Sequence, residues 1–205
     1  MIERTSEPPS ARRDTGWTQV LYWRINESPG LALKINALAL VLAAVSGLAF
    51  VWIARRVGGA PKLTWHAQEC VIFVVGIAVV LFIHEGIHGV LMRAFGARPR
   101  FGFYVRGGMF YAKAPGHSFT RGQYLSVVLG PLVGLSLLGC MAIALLAGTA
   151  AVWFVALWAI VNASASNADA WIAAFILRQP GAARVVDELD GFRVLVPLGD
   201  PGGSG

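Results

Sequence analysis

The amino-acid sequence predicts an all-α integral membrane protein of about four transmembrane helices, with a short cytoplasmic β-hairpin loop between the second and the third. Of its 205 residues, 56% are hydrophobic and only 14% are charged, whereas about 25% of the residues in ordinary soluble domains are charged. The apolar residues also form runs that approach the roughly 20 helical residues needed to cross a bilayer core. This composition excludes an ordinary soluble domain and, except at the two ends, a disordered chain.

Four apolar windows are long enough to act as transmembrane helices. In chain order they are Ala37–Ala54, which follows a less apolar approach at 31–36, then Cys70–Met92, Tyr124–Leu146 and Ala151–Leu177.

These windows predict three regions of the chain: an N-terminal cytoplasmic tail or interfacial helix at 1–30, a four-helix membrane domain at 31–177 and a cytoplasmic C-terminal tail at 178–205. Within the first region, the aromatic, apolar and basic residues at 16–25 suit a short helix in the membrane interface. A disordered tail accounts for them equally well.

The charged residues predict the orientation of the protein. The 17 Lys and Arg outnumber the 11 Asp and Glu, which gives a net charge of +6. They lie at the edges of the apolar runs and form no basic polar face, so no nucleic-acid partner is expected. With both termini and the loop at 93–123 in the cytoplasm, 14 of the 17 basic residues face that side, as the positive-inside rule favours. We expect an integral protein of the plasma membrane, surrounded by the lipid bilayer.

The loop after the second window contains two short runs of aromatic and β-branched residues, Phe101–Val105 and Met109–Lys113, around Arg106-Gly107-Gly108. This pattern predicts a β-hairpin. A hairpin beside a membrane site can bind an extended peptide along its edge, although a simple connector on the membrane surface explains the loop as well. In the third window, Gly130 and Gly134 favour close helix packing and Pro131 favours a kink, so we interpret these three residues as packing elements.

The second window contains the sequence His84-Glu85-Gly86-Ile87-His88, which has the pattern His-Glu-x-x-His. Residues four apart share one helix face, so the two histidines can bind one Zn²⁺ ion. Glu85 can then act as the general base toward a water molecule on the metal. The alternatives are an interhelical hydrogen-bond cluster or the proton relay of a transporter. Because ionisable groups inside a bilayer are costly, metal binding is the interpretation we favour.

A catalytic zinc ion normally has three protein ligands. Asp169 is the candidate for the third, because it and Glu85 are the only carboxylates inside the apolar windows. At 1.5 Å per helical residue, the two histidines and Asp169 lie between roughly 22 and 28 Å from the outer ends of their helices. Asp190 is the competing ligand, but its position after Pro180 and Gly181 assigns it to the C-terminal tail.

A polar stretch, Asn162–Ala168, precedes Asp169. Its amides and hydroxyls can hydrogen-bond to the ligand histidines, to water or to a substrate carbonyl. They can also hold helices together and line a water-filled cavity, which is the role we expect. We assign no individual role to Asn162 or Asn167. We interpret His117, Arg106 and Arg121 as solvated loop residues; the alternative is that they contact the substrate.

These motifs resemble those of membrane-embedded zinc metallopeptidases, in which a His-Glu-x-x-His helix, a Gly-Pro helix and an Asp-bearing helix follow one another. In the site-2 protease family, which cleaves substrates within or beside the bilayer, the Asp lies in a Leu-Asp-Gly sequence. Here Asp169 lies between Ala168 and Ala170, so the match to that family is partial.

The chain is more similar to small zincin-type peptidases catalogued as a domain of unknown function. They share the His-Glu-x-x-His-Gly sequence after an apolar run and a later Asn/Ser-rich stretch that ends in Asp. The similarity covers roughly residues 70–195. It implies a peptidase fold with zinc on His84, His88 and Asp169, and with Glu85 as the base.

The expected function is therefore that of a zinc-dependent, membrane-embedded endopeptidase acting on a membrane protein or peptide. One alternative is a non-enzymatic metal-binding membrane protein or an ion or proton transporter that uses the same cluster. Another is a structural subunit with a degenerate site. The sequence carries no signal for the substrate's identity or for the oligomeric state.

Overall fold

The computed structural model describes residues 16–24, 29–58, 62, 64–104 and 109–198. Its helices are α1 (Pro29–Gly58), α2 (Ala67–Ala94), α3 (Arg121–Leu145), α4 (Ala151–Ala165) and α5 (Asn167–Ile176). Three of them, α1, α2 and α3, are long and apolar enough to cross a membrane, and the bent pair α4–α5 makes up to a fourth span. The protein is mostly helical, and its long apolar helices are compatible with an integral membrane protein.

The surfaces of the long helices support this class. In the most apolar windows of α1 and α2, only 11% and 6% of the residues are buried inside the protein. Leu40, Leu48 and Phe82 are 74%, 78% and 72% exposed. In water, each such side chain would forfeit roughly 1.5–3 kcal/mol relative to burial. Lipid tails are as apolar as leucine, so exposure to them does not carry this cost.

The fourth apolar window bends at Ser166 and is not one straight helix. The axes of α4 and α5 differ by 48°. The Ser166 side chain is fully buried, and its hydroxyl donates to the Asn162 carbonyl at 2.9 Å, a bond to the preceding helical turn that often bends helices. Because of the bend, Asp169 lies in the first turn of a separate helix, α5.

The all-α prediction is wrong in one respect, because the described residues also form six strands. They are β1 (Trp17–Arg24), β2 (Arg100–Tyr104), β3 (Met109–Lys113), β4 (Ser118–Thr120), β5 (Arg184–Asp187) and β6 (Gly191–Pro197). Four of them form an antiparallel sheet in the order β1-β6-β5-β4, and β2 pairs with β3.

Residues expected as an interfacial helix or disordered tail form β1, and the expected C-terminal tail contains β5 and β6. The reason is long-range pairing: Trp17 lies opposite Pro197, and Ser118 opposite Val186. Such pairs are decided by side-chain packing and burial between distant segments, which a local pattern does not display. The sheet therefore brings the N-terminal segment, the segment before α3 and the C-terminal segment together.

The strand pair expected after the second window is present as β2 and β3. It runs from Arg100 opposite Lys113 to Tyr104 opposite Met109. The expected turn, Arg106-Gly107-Gly108, lies outside the described residues. The cytoplasmic location of this hairpin stays a prediction.

An aromatic core fixes the sheet against the helices. Phe119, Tyr124 and Phe192 are at most 4% exposed. The ring centre of Tyr124 lies 5.8 Å from that of Phe119 and 5.9 Å from that of Phe192. Buried aromatic pairs of this kind stabilise a core by roughly 0.5–1.5 kcal/mol beyond their buried area. The sheet therefore forms one packed unit with the start of α3.

Two devices connect this sheet to the helices that carry the site. Thr120, the last residue of β4, caps α3: its hydroxyl accepts the Gln123 N–H, and the Gln123 side chain accepts the Thr120 N–H. The Arg121 guanidinium then donates to the Ile176 and Leu177 carbonyls at 3.2 and 2.7 Å. The start of α3 and the end of α5 are thereby held together.

A buried carboxylate joins the hairpin to the sheet. Asp187 of β5 is 4% exposed, and its Oδ2 accepts the backbone N–H of Ala114, the residue after β3, at 2.6 Å. Burial raises the pKa of the Asp187 carboxyl to about 6, although the Ala114 hydrogen bond opposes the shift. The end of the hairpin is therefore attached to the four-stranded sheet.

Candidate metal centre

Helix α2 presents His84, Glu85 and His88 as one cluster. Each residue offers a ligand atom, and these atoms all lie within 4.8 Å of one another. His84 and His88 are 4% and 7% exposed, and their ring centres are 5.0 Å apart. The two rings share a face because residues four apart lie one helical turn from each other.

Asp169 reaches the same cluster from α5. Its Oδ2 lies 3.2 Å from His84 Nε2 and 3.5 Å from His88 Nε2. Zn²⁺ binds nitrogen and carboxylate oxygen at about 2.0–2.2 Å, so the ligand atoms of a tetrahedral site lie about 3.3–3.5 Å apart. The Asp169–histidine distances are close to this separation, and the set of two imidazoles with one carboxylate has the chemistry of a catalytic zinc site. The arrangement therefore fits a zinc ion.

The other ring nitrogens of both histidines have hydrogen-bond acceptors. His84 Nδ1 lies 2.9 Å from Asn162 Oδ1, and His88 Nδ1 lies 2.8 Å from the Val127 carbonyl oxygen. A carbonyl only accepts hydrogen bonds, so each ring carries its proton on Nδ1 when it donates to these partners. Both Nε2 atoms then offer a lone pair toward Asp169, as histidine metal ligands commonly do.

Sequence reasoning named Asn162 without a specific role and missed Val127. Val127 contributes a backbone carbonyl, so its side-chain type carried no signal. The residue that could have pointed to the Val127 carbonyl is Pro131, because a proline has no N–H to donate to the carbonyl four residues earlier. We interpret Pro131 as a packing residue, and its full burial in the protein agrees with that interpretation.

The hairpin lies beside the site. The side chain of Phe101 in β2 occupies the space where a Cβ at Gly89 of α2 would lie, and the backbone of Ala112 in β3 lies near the Glu85 carboxylate. Both strands of the hairpin therefore lie next to the site.

The rest of the polar stretch holds helices together. The Ser164 hydroxyl donates to the Ala39 carbonyl of α1 at 3.2 Å, and the Asn167 amide donates to the Ile35 carbonyl at the same distance. Asn167 Oδ1 also accepts the Ala168 N–H at 2.8 Å. These bonds match the alternative in which the polar residues join helices, and Asn162 is the member that contacts a histidine.

The remaining candidates take structural positions. Asp190, the competing ligand, is exposed in the turn between β5 and β6, where it accepts a hydrogen bond from Tyr22 at 2.7 Å. The His117 ring packs on Phe119 with ring centres 4.5 Å apart. Arg121 binds the end of α5, as described above, and Arg106 lies outside the described residues.

Comparison with known proteins agrees with this site. No curated protein and no solved structure shows significant similarity to the chain. A family model described as "Putative zincin peptidase" matches residues 77–184, a segment that contains the whole His-Glu-x-x-His sequence and Asp169. Because the matched segment covers more than half of the 205 residues, the chain belongs to this zincin peptidase family.

Proposed function

We propose that the protein is a zinc-dependent, membrane-embedded endopeptidase that hydrolyses peptide bonds in membrane or membrane-proximal substrates. The metal ligands are His84, His88 and Asp169, and Glu85 is the catalytic base. The observation that carries the proposal is the convergence of both Nε2 atoms on Asp169 Oδ2 at 3.2 and 3.5 Å. Membership of the zincin peptidase family supports the same chemistry.

Each site residue has a different role in the proposed hydrolysis. A zinc ion, when bound, supplies a Lewis acid that activates a water molecule and polarises the scissile carbonyl. Glu85 accepts the proton of the attacking water and returns it to the leaving amine. Asn162 and Val127 hold the two imidazoles in the orientation that directs their Nε2 lone pairs into the site. The backbone of Ala112 lies near the Glu85 carboxylate and helps to orient it.

The edge of β3 that faces away from β2 is the proposed substrate-binding element, because it pairs with no strand in the described part of the chain. A peptide bond inside a helix is shielded, so the substrate must be extended near the site. An extended peptide can pair with an exposed strand edge through main-chain hydrogen bonds. Phe101 and Phe110 of the hairpin are 60% and 52% exposed, which suits an apolar, membrane-proximal substrate.

We further propose that both termini and the loop at 93–123 lie on the cytoplasmic side of the plasma membrane. The positive-inside rule is the basis of this orientation. The pairing of β1 with β6 and of β4 with β5 supports a common side for the three segments.

Substitution of the proposed base tests the function. The protein is purified in detergent, its zinc content is measured, and cleavage of internally quenched single-span peptides is followed. Glu85→Gln should keep stoichiometric zinc and lose at least 100-fold in cleavage rate, in line with the 10²–10⁴-fold contribution of general base catalysis. His84→Ala and Asp169→Ala should lose the zinc as well.

The ion-transport alternative is tested by measuring ion or proton flux in proteoliposomes. Ion or proton flux that is lost in Glu85→Gln, with no peptide product from either protein, would refute the peptidase. Zinc that remains after His84→Ala and Asp169→Ala would refute the assigned ligands.

A further inference from the structure

We propose that Pro131 is a positioning residue for the metal site, because it frees the Val127 carbonyl of α3 to accept the Nδ1–H of His88. The proposal rests on the proposed function for the identity of the metal. It concerns only how this chain orients its own imidazoles.

The first step is the missing helical hydrogen bond. In a regular helix the N–H of residue i donates to the carbonyl of residue i−4, so residue 131 would donate to Val127. Proline has no N–H, and its ring pushes against the carbonyl of residue i−4. Val127 is 1% exposed, so its carbonyl must find another donor. The His88 ring of α2 supplies it at 2.8 Å.

The second step concerns the other histidine. The Pro131 carbonyl accepts a hydrogen bond from Asn162 Nδ2 at 3.3 Å, and the Oδ1 of that amide lies 2.9 Å from His84 Nδ1. Because Nδ2 can only donate and Oδ1 can only accept, the carbonyl fixes the orientation of the amide. One turn of α3, from Val127 to Pro131, therefore supports both imidazoles, one directly and one through Asn162.

The third step is the approach of the two helices. A Cβ at Gly130 would meet the end of the Leu91 side chain of α2, so α2 packs directly against α3 at this turn. That proximity allows the short side chain of His88 to reach the main chain of α3. Pro131, the next residue, provides the carbonyl for the contact.

The test is zinc affinity in Pro131→Ala. Alanine restores the N–H, which competes with His88 for the Val127 carbonyl and returns that carbonyl toward the helix axis. Loss of an outer partner of a metal ligand weakens metal binding by about 10–100-fold. We expect about 10-fold weaker zinc binding, measured in nanodiscs by competition with a chromophoric chelator.

Two further variants separate the N–H effect from general changes in α3. Gly134→Ala is the matched control, because the space around Gly134 is open, and it should keep the wild-type affinity. Lactic acid incorporated at position 131 lacks the N–H, as proline does, and should bind zinc within about threefold of wild type. Equal weakening by alanine and lactic acid would overturn the proposal.

A metal-free measurement keeps this proposal distinguishable from the proposed function. In ¹⁵N-histidine NMR of the zinc-free protein, the neutral His88 ring should carry its proton on Nδ1, and Pro131→Ala should raise the population with the proton on Nε2. Wild-type tautomer and wild-type zinc affinity in Pro131→Ala would overturn the positioning role and leave the peptidase intact. Absence of histidine-dependent zinc in the wild-type protein would refute the proposed function, whereas the tautomer shift would still support the role of Pro131.

Discussion

Replacement of Asn162 by leucine tests the proposal that outer hydrogen bonds prepare the histidines for zinc. Asn162 is fully buried and His84 is 4% exposed, so water does not replace the lost amide. In the metal-free protein the ring can move its proton from Nδ1 to Nε2 and donate to Asp169 Oδ2, which lies 3.2 Å away. The metal-free protein thus avoids an unpaired Nδ1–H on this ring.

When zinc binds, the His84 ring can no longer carry its proton on Nε2. The metal takes the Nε2 lone pair, so the proton must return to Nδ1, where leucine offers no acceptor. An unsatisfied buried donor costs about 1–3 kcal/mol. Since about 1.4 kcal/mol is a factor of ten in an equilibrium constant, zinc should dissociate roughly 5–150-fold more readily. The cost of the unpaired ring N–H falls on the zinc-bound state alone and therefore lowers the metal affinity. The loss of the Asn162 hydrogen bond to the Pro131 carbonyl lowers the stability of the zinc-bound and the metal-free protein alike.

The assay is chelator competition at constant pH in nanodiscs, together with the melting temperature of the metal-free protein. Ser164→Ala is the matched control, because it removes a hydrogen bond between α4 and α1 without contacting a histidine, and it should leave the zinc affinity unchanged. A zinc affinity of Asn162→Leu within twofold of wild type would refute the reasoning. Equal weakening in Ser164→Ala would show that helix packing, and not the imidazole partner, controls the affinity.

Two further predictions concern stability. Burial raises the pKa of Asp187 to about 6 from an ordinary 3.8, so the native protein binds more protons between these values. The free energy of unfolding should therefore fall by at most about 3 kcal/mol as pH rises from about 4 to about 6. Asp187→Asn, which keeps an acceptor for the Ala114 N–H, should remove that dependence in melting curves, and an unchanged slope would contradict the assignment. Gly76→Ala should destabilise the protein by about 1–3 kcal/mol, because its Cβ would overlap the Trp158 ring. Gly47→Ala, where the space is open, should be neutral or slightly stabilising in the same unfolding assay, and equal losses in both variants would contradict the packing argument.

The hairpin and the four-stranded sheet show which strand pairs a local sequence pattern can predict and which it cannot. The β2–β3 pair was predicted because its two strands are close in sequence and flank a turn signal. The four-stranded sheet was missed because Trp17 pairs with Pro197 across almost the whole chain. Alternating residues in such short segments suit a tail, an interfacial helix or a strand equally well until a partner strand is known.

The sequence by itself determined the apolar helices and the cluster of His84, Glu85 and His88. Helical periodicity is local, and bilayer length sets a requirement that composition can meet. It also singled out Asp169, because few carboxylates occur in apolar segments. The tertiary structure decided the acceptors of the two rings, since the Val127 carbonyl acquires its role only where α2 lies against α3. Backbone groups are the same in every residue, so their function depends on which helices meet.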